Sequence, residues 1–282
     1  MSEIKELTRD DLKILPPRDE EGNKGTFGKV LAVAGSWSIC GAAYLCGMAA
    51  LRTGVGMVKI YTEESNRTPL AASFPEALIS TYREGEWDSG GLQADLKWAD
   101  TVLIGPGIGT ASTAGQILDF VLANSELPLL ADADALNILA EDPGRIADYP
   151  AHVILTPHVM EMSRLTSLSP SAIKTDPVSA AKALSEKTGA DVVLKDASTV
   201  IAACDGSCWI YRGGTSALAT AGSGDVLAGM IAGLMTAYRS YDLPYAALGV
   251  CLHGTCGELA AAKRSRATVI ASDLFEVMPA LI

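Results

Sequence analysis

Apolar residues along this chain come in short unbroken runs, each closed by glycine, proline or a polar pair. Residues 30–34 (VLAVA) and 101–104 (TVLI) are runs without polar alternation. Such runs are the pattern of strands covered on both faces, as in a parallel sheet. After GS at 35–36, the stretch 41–54 (GAAYLCGMAALRTG) has a small-residue start and an apolar body and predicts a helix. A second strand is expected at 57–61, which makes a βαβ opening. Residues 62–95 are mixed, with a candidate strand at 77–82 and a surface turn at EGEWDSGG. Residues 127–140 read as a strand running into Asp132 and Asp134 and then a helix. Residues 152–165 read as a strand, a Thr-Pro break, His158 and a helix carrying Glu161 and Arg164. A helix is expected over 177–188. ADVVLKDASTVIAACDGSCWIY then gives strand, loop 195–199, strand, a turn at Asp205 and Gly206, and strand. The run VLAGMIAGLMTA from Val226 is uncharged and rich in small residues, as a buried helix would be. An alanine-rich helix over 244–263 and a short terminal helix close the chain. Residues 1–23 form a polar lead-in in which Pro16 and Pro17 fix an extended piece. With no internal repeat and no break in composition, the pattern gives an α/β fold, a single domain over 1–282 with a largely parallel central sheet and helices on both faces.

The chain has 282 residues, 49% hydrophobic and 20% charged, with net charge −11. A sheet wrapped on both faces at this length buries roughly 75% of the unfolded surface. The acidic balance argues against non-specific nucleic-acid binding, which needs cations for phosphates. The first 25 residues are charged and hold no apolar core, so they are no signal peptide. The uncharged stretch 30–51 is interrupted by Gly35, Ser36, Ser38, Gly41 and Gly47, which favours strand–turn–helix over a membrane span. Six cysteines without a CxxC and only three histidines do not meet zinc spacing; buried free thiols in a reducing cytoplasm are expected.

The stretch that carries most chemical information is GGTSALATAGSGDVLAG, residues 213–229. Gly222, Ser223 and Gly224 stand in front of Asp225 where the buried helix begins. Glycines there let backbone N–H groups turn outward, and with the helix dipole they make an anion site. A carboxylate beside a bound anion suits chemistry at a phosphate, whereas Asp after glycine is also ordinary cap chemistry. Both readings stand for GSGD alone. Other candidates lie at strand ends, where ligands bind in doubly wound folds. Gly105, Gly107 and Gly109 allow close backbone approach, though the third glycine comes too soon for a dinucleotide fingerprint. Asp132 is placed for magnesium or substrate, and Asp134 reads as an N-cap. Lys195 can reach a phosphate as a point charge; its alternative is a solvated hairpin lysine.

NKGTFGKVLAVAGS, GAAYLCGMAALRTGVG, GPGIG, ADADALNIL, LTPHVMEMSRL, VVLKDASTVIA, GTSALATAGSGDVLAG and ASDLFEVMPAL follow one another in that order. Together they resemble the ADP-dependent NAD(P)H-hydrate dehydratase family of the ribokinase-like superfamily, from about residue 12 onward. The likeness is to the stand-alone dehydratase, without an epimerase domain ahead of it. It implies return of the S epimer of hydrated NADH or NADPH to the reduced dinucleotide, with ADP (or ATP) and Mg2+ consumed or required, giving AMP and phosphate. It further implies a hydrate site at Ala43, Gly107, His158 and Asp225. A nucleotide site is implied at Lys195, Asp196, Ala197, Ser198, Thr199 and Gly224, with Gly222, Ser223 and Gly224 as the anion hole. Asp225 becomes the catalytic base. A homo-oligomer, a tetramer in many members, and a cytoplasmic location come with the resemblance, with no nucleic-acid or membrane partner. Three departures from the family pattern stand out. Val159 and Met160 replace Pro-Gly, Asp196 replaces a glycine, and Asn23 replaces a histidine. A vitamin-precursor alcohol kinase of the same superfamily and a non-catalytic nucleotide-binding protein are the competing readings.

Overall fold

The structure, a computed structural model, describes residues 4–282. In chain order it contains β1 (Ile4–Leu7), β2 (Lys29–Val33), α1 (Gly41–Arg52), β3 (Met57–Glu63), α2 (Arg67–Ser73), β4 (Leu78–Tyr82), α3 (Gly90–Trp98), β5 (Thr101–Ile104) and α4 (Ser112–Asn124). Then come β6 (Leu129–Ala131), α5 (Asp134–Leu139), β7 (Val153–Leu155), α6 (Val159–Thr166), α7 (Pro170–Thr175), α8 (Pro177–Thr188), β8 (Asp191–Leu194), β9 (Thr199–Ala202) and β10 (Cys208–Tyr211). Three helices end the chain: α9 (Ser223–Ala237), α10 (Tyr245–Lys263) and α11 (Leu274–Val277).

All strands join one sheet in the order β1-β10-β9-β8-β7-β6-β5-β2-β3-β4. Among the described residues β9 alone runs against the others, paired antiparallel with β8 and β10. The largely parallel sheet is therefore as the apolar runs require. Alternate residues of β2 face opposite layers. Val30 and Ala32 pack under α1, α9 and α10, while Leu31 and Val33 pack under α3, α4 and α5.

Residues 1–23 are not a mere lead-in. Ile4–Leu7 extends the sheet edge by pairing parallel with β10, and Arg9–Ile14 forms a 3-10 turn. A four-residue edge strand is stabilised by its partner rather than by its own periodicity, so no local pattern announces it. EGEWDSGG turns as expected but also opens α3 at Gly90.

The small residues of α9 have a packing cause. A Cβ on Gly229 would lie 2.1 Å from the Cys46 carbonyl oxygen, and one on Gly233 would lie 2.8 Å from Thr53 Cβ. α9 therefore crosses α1 with backbones in contact, which only glycine at those positions permits. The contact locks the mouth of α9 to that of α1, and both open at the carboxyl end of the sheet.

Candidate active site

β2 and β5 are neighbours whose following loops diverge, which is the topological switch point of the sheet. The loop after β2 is tied to the loop after β5 by the Gly35 N–H donating to the Pro106 carbonyl at 2.8 Å. Gly107, at φ +63°, passes so close to α1 that a Cβ would meet Ala42 Cβ and Ile39 Cγ2 at 2.9 Å. The structure thus brings Gly107 and the first turn of α1, with buried Ala43, to one crevice.

α9 begins beside that crevice. Its cap is Gly222, at φ 87° and without a side-chain cap bond; Ser223, Gly224 and Asp225 form its first turn. Asp225 is the third helical residue rather than the cap. Its carboxyl is pushed up to about 6, first by burial and then by the Asp132 charge, against the pull of Lys195. Ser223 Oγ lies 3.1 Å from Nε2 of His253, a buried residue of α10 whose burial lowers it to about 4, so that it is neutral at physiological pH.

Lys195 follows β8 and is no solvated hairpin residue. Its Nζ donates to Asp132 Oδ1 at 2.7 Å, and the Thr156 hydroxyl donates to the same oxygen at 2.6 Å. Burial works against the ammonium, but Asp132 and Glu161 hold its pKa above the usual lysine value. A Cβ on Gly224 would sit 3.6 Å from that Nζ, so the cation stands directly over the mouth of α9. Oδ1 of Asp132, the magnesium candidate, is thus already held by an ammonium and a hydroxyl, which favours a water-mediated over a direct metal contact at this oxygen. Asp134 is not the cap of α5. Ala133, at φ 50°, is the cap of α5, and Asp134 Oδ2 instead accepts the Gly109 N–H at 2.9 Å, fixing the loop after β5.

His158 bridges to Lys195, whose N–H donates to the Pro157 carbonyl at 2.8 Å. It caps α6: Nδ1 accepts from the Met160 and Glu161 N–H groups at 3.0 and 3.2 Å, which leaves the ring proton on Nε2. Burial, then Lys195 and Arg164, lower its pKa. Glu161 Oε2 accepts the His158 N–H at 2.8 Å in return, and burial raises Glu161 to about 7 against Lys195. Val159 occupies the first helical position, the one proline favours, so its departure from Pro-Gly leaves the start of α6 intact.

A cavity of about 800 Å³ opens along this wall, lined among others by His158, Lys195, Asp196, Ala197, Thr199, Ser223 and Gly224. Its far side is the loop from Gly213 to Thr220, with Tyr211 and His253. Ser198 and Gly222 are not among its lining residues; neither are Ala43, Gly107 and Asp225. Asp196 is exposed, keeps an ordinary backbone, and accepts the Ala197 N–H through Oδ1 at 2.9 Å. No left-handed conformation is required where the family has glycine. Asn23 replaces the family histidine with a local turn, Oδ1 accepting the Gly25 N–H at 2.8 Å. Tyr211 and His253 were not expected from the sequence. A histidine inside an apolar helix carries no local sign of lining a cavity, although Gly213-Gly214-Thr215 did mark the loop opposite it.

Comparison with solved structures defines the class first. A ribokinase-like superfamily protein from Enterococcus faecalis superimposes with TM-score 0.87 at 30% identity, covering 98% of this chain and 94% of that one. A hydroxyethylthiazole kinase from Pyrococcus horikoshii, 14% identical at TM-score 0.60, shares the fold alone. The NAD(P)H-hydrate dehydratase family model matches residues 30–280, and the chain belongs to that family. It is similar to the ADP-dependent (S)-NAD(P)H-hydrate dehydratase of Bacillus subtilis, 36% identical over 94% of this chain and 92% of the relative. A crystal structure of the ADP/ATP-dependent NAD(P)H-hydrate dehydratase from Bacillus subtilis, co-crystallised with ATP and Mg2+, superimposes with TM-score 0.84 at 31% identity, over 99% and 97% of the two chains. The bifunctional NAD(P)H-hydrate repair enzyme Nnr of Escherichia coli is 36% identical over 95% of this chain; the chain spans 50% of that relative, about half the length of the bifunctional proteins it matches.

Proposed function

We propose that this chain, as one ribokinase-like unit, is an ADP-dependent hydro-lyase that repairs the S epimer of hydrated NADH and NADPH. The observation that carries the reading is the meeting, at the α9 mouth, of three things. They are a half-buried carboxylate pushed up to about 6, a half-buried ammonium over Gly224, and a cavity that opens on both Lys195 and Gly224. A base near that value holds a proton acceptor in usable form at neutral pH.

In this reading Lys195 to Thr199 and Gly224 bind ADP, and His158, Gly107 and Ala43 bound the hydrate. Asp225 takes the proton of the hydrate hydroxyl as its oxygen attacks the terminal phosphorus of ADP, releasing AMP. The backbone amides of Gly222 to Asp225 and the Lys195 ammonium stabilise charge on the transferring phosphoryl group, as fixed donors do. The phosphorylated hydroxyl then leaves as phosphate, expelled by the ring-nitrogen lone pair; the iminium so formed loses a proton from the adjacent ring carbon, which makes the ring double bond and restores the reduced nicotinamide. Mg2+ enters with the nucleotide phosphates, the mode this cation prefers, since Asp132 is already paired. ADP over ATP, a cytoplasmic site and a homotetramer are parts of the same proposal. They rest on the family likeness and on six free cysteines, and no described helix is long and apolar enough to cross a membrane. All six thiols are free, as expected; four are buried, whereas Cys204 is exposed and Cys40 half-buried.

The test is product analysis after mixing protein, hydrate and ADP. Reduced dinucleotide, AMP and phosphate in equal amounts support the proposal; a stable phosphorylated alcohol would identify a kinase instead.

A further inference from the structure

The geometry points to a second site, a zinc-class divalent-metal site built from His152, Asp191 and Cys204 at the end of the sheet opposite the cavity. His152 immediately precedes β7, Asp191 opens β8, and Cys204 lies just beyond β9. β7, β8 and β9 are adjacent, and the antiparallel β9 returns to the end where its two neighbours begin. One imidazole, one carboxylate and one thiol therefore converge from three neighbouring strands of a rigid sheet. Their ligand atoms all lie within 4.8 Å of one another, and His152 Nε2 is 3.0 Å from Asp191 Oδ2. Zinc bonds of about 2.0–2.3 Å to N, O and S place tetrahedral ligands roughly 3.3–3.6 Å apart. Rotation of the exposed Cys204 and His152 side chains closes that gap while the backbone stays in place.

The carboxylate is already oriented for such a role. Asp191 is only 9% exposed, and its Oδ1 accepts the Cys204 N–H at 2.9 Å, which leaves Oδ2 facing the other two ligands. A hydrogen bond to the outer oxygen of a ligating carboxylate is the usual supporting contact of a metal site. A nitrogen, an oxygen and a sulfur donor together suit Zn2+ or Co2+, while Mg2+ and Ca2+ require oxygen. Charge and protons balance. A neutral imidazole, a carboxylate and a thiolate sum with the dication to zero, the thiol proton leaving to solvent as the metal binds. The fourth position is left to water, because Cys204 and His152 face solvent. Bound there, the metal ties the β8–β9 hairpin to β7 as a stabilising clip. No residue of the proposed catalytic site takes part, so the metal site and the dehydratase activity stand or fall separately.

The test uses the full chain in phosphate-free buffer, with Co2+ as spectroscopic probe and Zn2+ as competitor. The expected result is one tetrahedral Co2+ per chain with a sulfur-to-cobalt charge-transfer band, displaced by Zn2+. Zn2+ raises Tm in the wild type. Cys204→Ser loses the charge-transfer band and the Tm shift while keeping its fold by circular dichroism and its ADP-dependent turnover. His152→Gln weakens Co2+ binding at least tenfold. A band that survives in Cys204→Ser would place the thiolate on another cysteine and overturn the inference. So would the absence of a charge-transfer band at millimolar Co2+.

Discussion

Replacing Asp225 by asparagine separates chemistry from folding, because the structure gives the carboxylate opposite effects on the two. Its folded value is raised from 3.8 to about 6. The folded state therefore holds a proton between pH 4 and 6 that the unfolded state has lost, and stability falls as pH rises through that window. At pH 7 the ionised, half-buried carboxylate costs the fold about 3 kcal/mol, because each tenfold change in proton affinity is worth about 1.4 kcal/mol. Asp225→Asn removes the charge at constant shape. The expected gain is roughly 1–3 kcal/mol at pH 7, or about 2–6 °C in Tm for a chain of this size, shrinking to nothing below pH 4. Turnover moves the other way, falling by about 10² to 10⁴ with loss of the base, while ADP binds within a few-fold of wild type. In the wild type, turnover at subsaturating substrate drops tenfold per pH unit below about 6. Thermal melts at pH 7 and pH 4, with turnover and ADP titration on the same preparations, measure all of it. A variant that keeps turnover within a few-fold of wild type refutes the base assignment. One that melts lower at pH 7 refutes the burial argument.

Three further outcomes follow from the same geometry. Lys195→Met leaves Asp132 buried beside a single hydroxyl donor and is expected to cost about 3–5 kcal/mol; adding Asp132→Asn restores stability in urea titrations but not ADP affinity, and failure of that rescue contradicts the pairing. Asp196→Gly is expected to tighten ADP binding modestly, by less than the roughly 3 kcal/mol of two charges 6 Å apart at an effective dielectric of 20, with the gain shrinking as salt rises. Calorimetry at two ionic strengths checks it, and weaker binding would mean that the Ala197 contact of Asp196 holds the loop. Gly229→Ala puts a Cβ 2.1 Å from the Cys46 carbonyl oxygen and is expected to destabilise by about 1–3 kcal/mol through overpacking, read as a lower urea midpoint; an unchanged midpoint would show that α1 and α9 slide apart freely.

The parts of the fold legible in the sequence are those whose cause is local. The apolar run 101–104 is β5 to the residue, and 177–188 is α8 to the residue. The latter is fixed by Pro177 at its first position and by the Asp176 side chain accepting the Ser179 N–H. The α9 mouth was legible for the same reason, since glycines before an apolar helix act within a few residues. What escaped depends on partners far along the chain. β1 exists through pairing with β10, and Asp134 serves Gly109 rather than its own helix. Lys195 and Asp132, separated by 63 positions, appeared singly as a phosphate ligand and a metal ligand. Only the juxtaposition of β6, β7 and β8 makes them one ion pair. His253 was hidden because its helix is apolar all round and its partner, Ser223, lies on another.

Restoration of a reduced nicotinamide at the α9 mouth is what separates a dehydratase from the kinases that share its fold. Purified protein mixed with the S epimer of hydrated NADH, ADP and Mg2+ is expected to generate absorbance at the reduced nicotinamide band, one equivalent per AMP formed. The signal is expected to be absent without nucleotide and absent with the Asp225→Asn variant. No rise in that band with the wild type, under conditions where ADP is shown to bind, would contradict it.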